Sequence, residues 1–239
     1  MNDKKYNCIQ RGDSINFGLN IQYLRMIHKN MTQEELANRL GVSRQTISKW
    51  ELNQGNPELS KIKEICTLFN CNSDELLFGN MQIANEAYSE IKIEKLEAFE
   101  YIKYTIISVE PEDDAINRMV QLAKELNIEN PKIIGWDFPY LSQEQINVYH
   151  MHGYTSALVL PKEVIIKNNG LVVDERKTQN YVTISIKNPM DNPFHLISNA
   201  FKSVFQYINV NRYTYDHFAF ESVYQKDNIE YMKIYVAIE

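Results

Sequence analysis

The most constraining feature of this chain is the density of helix start and stop signals packed into residues 15–79. Leu19, Tyr23, Leu24 and Ile27 recur at three- and four-residue spacing and predict an amphipathic helix over about Ile15–Lys29. Thr32-Gln33-Glu34-Glu35 is a capping box: the threonine hydroxyl accepts the Glu35 amide, and the Glu35 carboxylate reaches back to residue 32. The helix so started is expected to bury Leu36, Ala37 and Leu40 and to stop at Gly41, which can take the positive φ of a tight turn. Val42 plugs that turn, Ser43 caps the next helix, and Ile47 and Trp50 face the core. Asn56-Pro57 reads as a cap followed by proline at the first position of a fourth helix, with Leu59, Ile62, Ile65 and Phe69 inward. Ser73 is expected to cap a short fifth helix carrying Leu76 and Leu77.

Two short helices joined by a glycine turn form a helix-turn-helix, whose second helix enters a major groove. On that second helix Arg44, Gln45, Ser48 and Lys49 lie opposite Ile47, with Ser43 and Thr46 on its first turn. Arg and Gln make paired hydrogen bonds to purine edges, and Lys suits guanine or phosphate. Gln33, at the start of the preceding helix, is placed where the helix dipole favours a phosphate. Lys29, Arg39, Arg44, Lys49 and Lys61 are the candidates for a local basic face. The same residues fit a merely solvated polar face equally well, and spacing alone does not choose between the two.

The signature runs Leu24-Arg25, Thr32-Gln33, Leu36-Ala37, Gly41-Val42-Ser43, Ile47-Ser48, Trp50-Glu51, Pro57 and Leu76. Over residues 15–79 it closely resembles the lambda-repressor-like, XRE-type helix-turn-helix domain. That resemblance implies five helices, sequence-specific binding of double-stranded operator DNA, and a homodimer. It sets a DNA-binding domain at 15–80, preceded by a flexible segment at 1–14.

Charge divides the chain at the same place. Residues 1–80 carry ten Lys/Arg against nine Asp/Glu, whereas residues 81–239 carry 15 against 22, so the formal charge of −6 belongs to the second part. The weak net charge of the first part does not speak against nucleic acid, because affinity depends on local phosphate neutralisation. Of 27 aromatic residues, 20 lie between Phe99 and Tyr235. Three cysteines, without zinc spacing or an export signal, read as reduced cytosolic thiols, and no apolar run suits a membrane. The expected location is the cytoplasm. Between the two parts, residues 81–97 are rich in Glu and Lys, with Ile83, Ala87 and Ile91 four apart, and are expected to form a linking helix.

From Ala98 the period changes. Strands are expected at Phe99–Val109, Lys132–Phe138 and Tyr149–Leu160, with a helix at Pro111–Asn127. The order then repeats: strands near Val164–Glu175 and Tyr181–Lys187, a helix at Pro193–Ile208, and strands Phe218–Tyr224 and Glu230–Ile238. Duplicated strand-helix-strand-strand halves predict an α+β domain with a mainly antiparallel sheet and its helices on one face. Glu221 lies mid-strand between Ala219 and Val223 on its own face, with Phe218 and Phe220 on the other. A buried carboxylate needs a partner, and a cationic ligand is one; a lysine or water at an edge strand is another. Trp136, Phe138, Tyr149, Tyr154 and Tyr215 are the candidate aromatic walls, although for each taken singly ordinary core packing is the more common role. His150 and His152 have no carboxylate or thiol placed to complete a metal site.

The segments YVTISI (181–186), FAFESVY (218–224) and IYVAIE (234–239) look like the GyrI-like effector-binding domain, which follows AraC-type and MerR-type DNA-binding modules in multidrug-responsive regulators. YTIISVEP (104–111), IIGWDFP (133–139) and YTSALVLP (154–161) are similar to its other half. Over 98–239 the resemblance implies a pocket between the halves, floored by Glu221, that takes lipophilic cations between aromatics. Two departures stand out: Tyr224 lies three residues beyond Glu221, where the family has tyrosine two beyond, and Lys187-Asn188-Pro189 replaces its His-x-Gly. Some stand-alone members are hydrolases, but no nucleophile elbow, phosphate loop or zinc cluster is present here. The expectation is a non-enzymatic regulator without cofactor or metal, whose partners are operator DNA and a small-molecule effector. The alternatives are a second domain that only mediates assembly and, less economically, a hydrolase pocket joined to a helix-turn-helix.

Overall fold

The computed structural model describes residues 16–81, 86–164, 166 and 170–239. The segment 1–14, residues 82–85 of the connector and part of the strand expected at Val164–Glu175 fall outside them. Two compact units result, the first built on five helices together with Asn209–Arg212, the second on the rest.

The first unit comprises α1 (Phe17–Ile27), α2 (Gln33–Leu40), α3 (Arg44–Glu51), α4 (Leu59–Phe69) and α5 (Ser73–Phe78). Thr32 and Glu35 close the capping box at the head of α2, and Gly41 ends it in the left-handed region at φ 63°. Phe17, Ile21, Leu24, Leu36, Ile47, Trp50, Ile65, Phe69 and Leu76 form one buried core.

Three local expectations need correction. Leu19 is 47% exposed, because the buried stripe of α1 runs through Phe17, Ile21 and Leu24 instead. Glu58, not Asn56, precedes α4; it is still extended, so the helix begins at Leu59, two residues past the proline, and that leucine stays 84% exposed. Asn72, not Ser73, caps α5, its side chain accepting the Glu75 amide at 2.7 Å.

Two buried polar residues tie the unit together. Asn20 donates to the carbonyls of Leu76 and Gly79 at 3.0 and 2.7 Å and accepts the Met81 amide at 3.1 Å, which fastens α5 to α1. Glu51, with its side chain 2% exposed, accepts Arg25 Nε and Nη2 at 2.6 and 3.2 Å and the Gln33 amide at 2.8 Å. One carboxylate thereby joins α1, α2 and α3.

The second unit is an α+β domain. Its strands are β1 (Lys92–Leu96), β2 (Phe99–Ser108), β3 (Lys132–Asp137), β4 (His152–Val159), β5 (Asp174–Arg176), β6 (Gln179–Lys187), β7 (Tyr215–Lys226) and β8 (Ile229–Ile238). Its helices are α6 (Pro111–Glu125), the five-residue α7 (Gln143–Asn147) and α8 (Pro193–Asn211), with one 3-10 turn at Pro189–Asp191. The strands form a single eight-stranded sheet in the order β1-β6-β8-β7-β3-β4-β2-β5, and the ladders are antiparallel. The repeat is visible in that order: β2-α6-β3-β4 and β6-α8-β7-β8 lie side by side, and β3 meets β7 at the seam. Outside each half an extra strand, β5 or β1, extends the edge.

The linking helix expected at 81–97 is not what forms. Among the described residues of that stretch, Tyr88 bridges to Ile186 and Lys92–Leu96 pairs with β6. The reason is non-local: Glu94 binds Lys233 at 2.7 Å, a partner 139 residues away, and that pair suits a strand where neighbouring charges had suggested a helix. Among the described residues of the strand expected at Val164–Glu175, strand is found at Asp174–Arg176. Tyr149–Met151 precedes β4 and is not strand; it follows α7, which ends at Asn147, and holds the left-handed His150.

Both long helices cover the same sheet face. Met119, Leu122 and Ala123 of α6 pack on Ile102 and Leu158. Leu196, Ala200, Val204 and Ile208 of α8 pack on Val182, Ile184, Met232, Ile234 and Val236. The opposite face carries Tyr101, Trp136, Tyr181, Phe218, Phe220 and Tyr235.

Replacing Glu51 by Ala leaves the Arg25 guanidinium in a nearly closed site without its counter-charge. The expected loss is roughly 3–5 kcal/mol of stability, read as a lowered urea midpoint for the unit that contains Trp50; a shift under 1 kcal/mol would show the pair to be dispensable.

Candidate functional site

The exposed surface of α3 is set by its first turn. Ser43 accepts the Thr46 amide at 3.1 Å, and the two hydroxyls meet at 2.9 Å, so both residues serve the cap. With the helix start fixed, and Ile47 and Trp50 anchored in the core, Arg44, Gln45 and Lys49 project into solvent and Ser48 is half-buried. These four side chains line one surface hollow of about 290 Å³. Gln33 stands apart from them, its amide donated to Glu51. Lys61 is also engaged: it donates at 2.7 Å to the carbonyl of Leu40, at the carboxyl end of α2, and to Glu64 of its own helix.

The second candidate centre is Glu221. Its backbone pairs with Gly135 of β3 on one side and Ile234 of β8 on the other, which puts it at the seam of the two halves. Alternation along the strands places Gly135, Asp137, Tyr154 and Glu221 on the helix-bearing face. The Tyr154 hydroxyl donates to Glu221 Oε1 at 2.7 Å. The bond depends on Gly135, because a Cβ there would sit 1.9 Å from that hydroxyl oxygen and 2.5 Å from Cζ. A glycine at this position is therefore a space into which the tyrosine ring fits.

The electrostatics follow from that packing. Burial pushes the Glu221 carboxyl up to about 7; the Tyr154 bond pulls it down, and Asp137 and Glu112 push it up. Tyr154 is raised far above a normal phenol, first by burial and then by the Glu221 charge. Glu112, in the first turn of α6, is raised by burial and by Asp137, with His152 opposing. An acidic cluster results, with one neutral donor among its nearest groups.

Of the five aromatic residues expected as walls, the structure brings Tyr154 to Glu221. Trp136 follows Gly135 and so points to the other face, edge-on to Tyr101 and Phe218. Phe138 packs against Tyr140. Tyr149 is exposed, its hydroxyl 3.4 Å from Glu144. Tyr215 lies edge-on to Phe205 of α8, beyond an irregularity in β7 where His217 has φ 51°. Sequence reasoning missed Gly135, Asp137 and Glu112. Gly135 left a signal, since a lone glycine inside a strand marks a close approach. Among the described residues no group of three or more His, Cys, Asp and Glu could hold a metal ion. No helix among them is long and apolar enough to cross a membrane.

Residues 21–76 match the family model described as helix-turn-helix, so the first unit is a helix-turn-helix domain. Among individual proteins, the chain is similar to the HTH-type transcriptional activator BcrR of Enterococcus faecalis, at 48% identity over 63 residues. The match covers 26% of this chain and 30% of that protein. The chain thus spans less than a third of the length of that relative. Among solved structures it is similar to the cryo-electron-microscopy structure of the EcmrR–DNA complex, at 14% identity and a TM-score of 0.45, over 92% of this chain and 81% of that one. SAV2435 bound to tetraphenylphosphonium aligns at 15% identity and a TM-score of 0.40, over 63% of this chain and 94% of that one.

The raised Glu221 carboxyl has a thermodynamic signature. Its ordinary value is 4.5, so the folded state keeps a proton that the unfolded chain has released. Stability is therefore lost as pH rises from about 4.5 to about 7 and is flat beyond. Subtracting the unfolding profile of Glu221→Gln from that of the parent should isolate this slope. Tyr154→Phe removes the bond that lowers the carboxyl, so a carbon-13 titration of Glu221 should move to higher pH in that variant. A midpoint unchanged or moved down would refute the assigned hydrogen bond.

Proposed function

We propose that the chain is a ligand-responsive, sequence-specific transcriptional regulator. Its helix-turn-helix domain reads operator DNA through Arg44, Gln45, Ser48 and Lys49, and its GyrI-like second domain takes a small lipophilic cation at Glu221. The observation that carries the first half is the exposed, cap-fixed surface of α3, where two residues able to read purine edges adjoin a lysine. The resemblance to BcrR, 48% identical over 63 residues, supports it. In a homodimer, two such helices reach half-sites about 34–36 Å apart along the duplex. Ser43 and Thr46 contribute by fixing the helix start, and Gln33 contributes through Glu51.

The ligand half rests on Glu221. A carboxyl held up by burial beside two further acids is relieved by a positive guest, and a flat or bulky cation gains about 0.5–2 kcal/mol for each aromatic face it meets. Tyr154 is the wall the geometry supports directly. The ligand alters DNA affinity only by favouring one arrangement of the dimer over another.

Arg44→Ala and Gln45→Ala should each weaken binding to a selected operator by about 1–3 kcal/mol and relax its sequence preference. Lys49→Ala should lower affinity evenly across sequences and reduce the salt slope by about 1. Intact operator binding in both of the first two variants would reject α3 as the reading helix. Tetraphenylphosphonium serves as the probe for the second domain. Proton and cation compete for one carboxyl, so its affinity should fall about tenfold per pH unit below about 7 and vanish in Glu221→Gln with DNA affinity unchanged. Equal affinity in parent and variant would reduce the second domain to an assembly module.

A further inference from the structure

The carboxyl end of α4 holds two thiols together. Asn70 takes the left-handed conformation (φ 50°, ψ 46°), and its N–H points to the Cys66 carbonyl. The Cys71 N–H reaches that same carbonyl at 3.1 Å. This is the six-to-one closure of a Schellman motif, which sets the side chains four residues before and one residue after the left-handed residue against each other. Cys66 and Cys71 occupy those two positions. Each thiol is near enough to influence the other's ionisation, and both pack against the core of the first unit.

We propose that Cys66 and Cys71 are a disulfide-forming pair, a modification site that closes the α4–α5 turn under a two-electron oxidant. A six-to-one closure folds the chain back so that its first and last residues come within reach of a disulfide, which spans Cα separations of roughly 4.4–6.8 Å. Both residues are free thiols here. Burial raises both, Cys71 to about 12. Attack by either is therefore slow, but the reduced form gains no thiolate stabilisation, and the bond once made resists reduction.

With diamide as oxidant the chemistry balances. One thiolate adds to the N=N bond, the second attacks the sulfur so linked, and the hydrazine leaves with two electrons and takes up two protons. The site is independent of Glu221 and of the DNA-reading surface.

The full chain treated with diamide and digested with trypsin tests this. The peptide Glu64–Lys92 contains both cysteines and no other. It should be lighter by two hydrogen atoms and refuse iodoacetamide until dithiothreitol is added, at a rate independent of protein concentration. In Cys71→Ser the same treatment should leave Cys66 open to alkylation. Two alkylated thiols after oxidation of the folded parent, or pairing with Cys8 or with a second chain, would overturn the proposal.

Discussion

The second unit depends on one close approach, the pairing of Gly135 with Glu221 where its two half-sheets join. Only a residue without a side chain leaves room there for the Tyr154 ring, and among the described residues it is that ring that brings a donor to the carboxyl. The seam is thus not a continuous apolar interior. It holds an acid, a phenol and the nearby charges of Asp137 and Glu112, on the face that α6 and α8 otherwise cover with aliphatic side chains.

The contrast with Glu51 separates structural from responsive use of the same group. Glu51 is nearly closed from solvent, but among the described residues it accepts three donors, two of them from a guanidinium. Its charge is compensated where it stands, and removing a partner is what destabilises. Among the described residues Glu221 accepts one neutral donor, from Tyr154, and faces two acids. Burial there works against the charged form, which leaves the carboxyl poised between proton and external cation.

How much of this was legible in the sequence follows the range of the interactions. The helix-turn-helix was readable because its signals are local: Thr32 with Glu35, the left-handed Gly41, Ser43 with Thr46. The duplicated order of strands and helices was readable from periodicity. The strand at Lys92–Leu96 is not legible locally, because the charge that fixes it, Lys233, lies 139 residues away. Trp136 was misplaced for a related reason. Its strand was recognised, but which face it shares with Glu221 depends on the β3–β7 register, and no residue near Trp136 encodes that. Tyr154 was named as one aromatic among five; what singles it out is the missing side chain of Gly135, on a neighbouring strand.

The halves repeat in backbone and differ in chemistry. Each contributes its middle strand, β3 or β7, to the seam, so the duplication sets equivalent elements edge to edge. One offers Gly135, a vacancy in side-chain terms, and the other offers Glu221. Had the repeat extended to side chains, two glycines would have left a gap or two carboxylates would have faced each other across one ladder rung, each destabilising the join. Symmetry in the fold supplies the position, and its breaking in the side chains supplies a single acid with one adjustable neighbour.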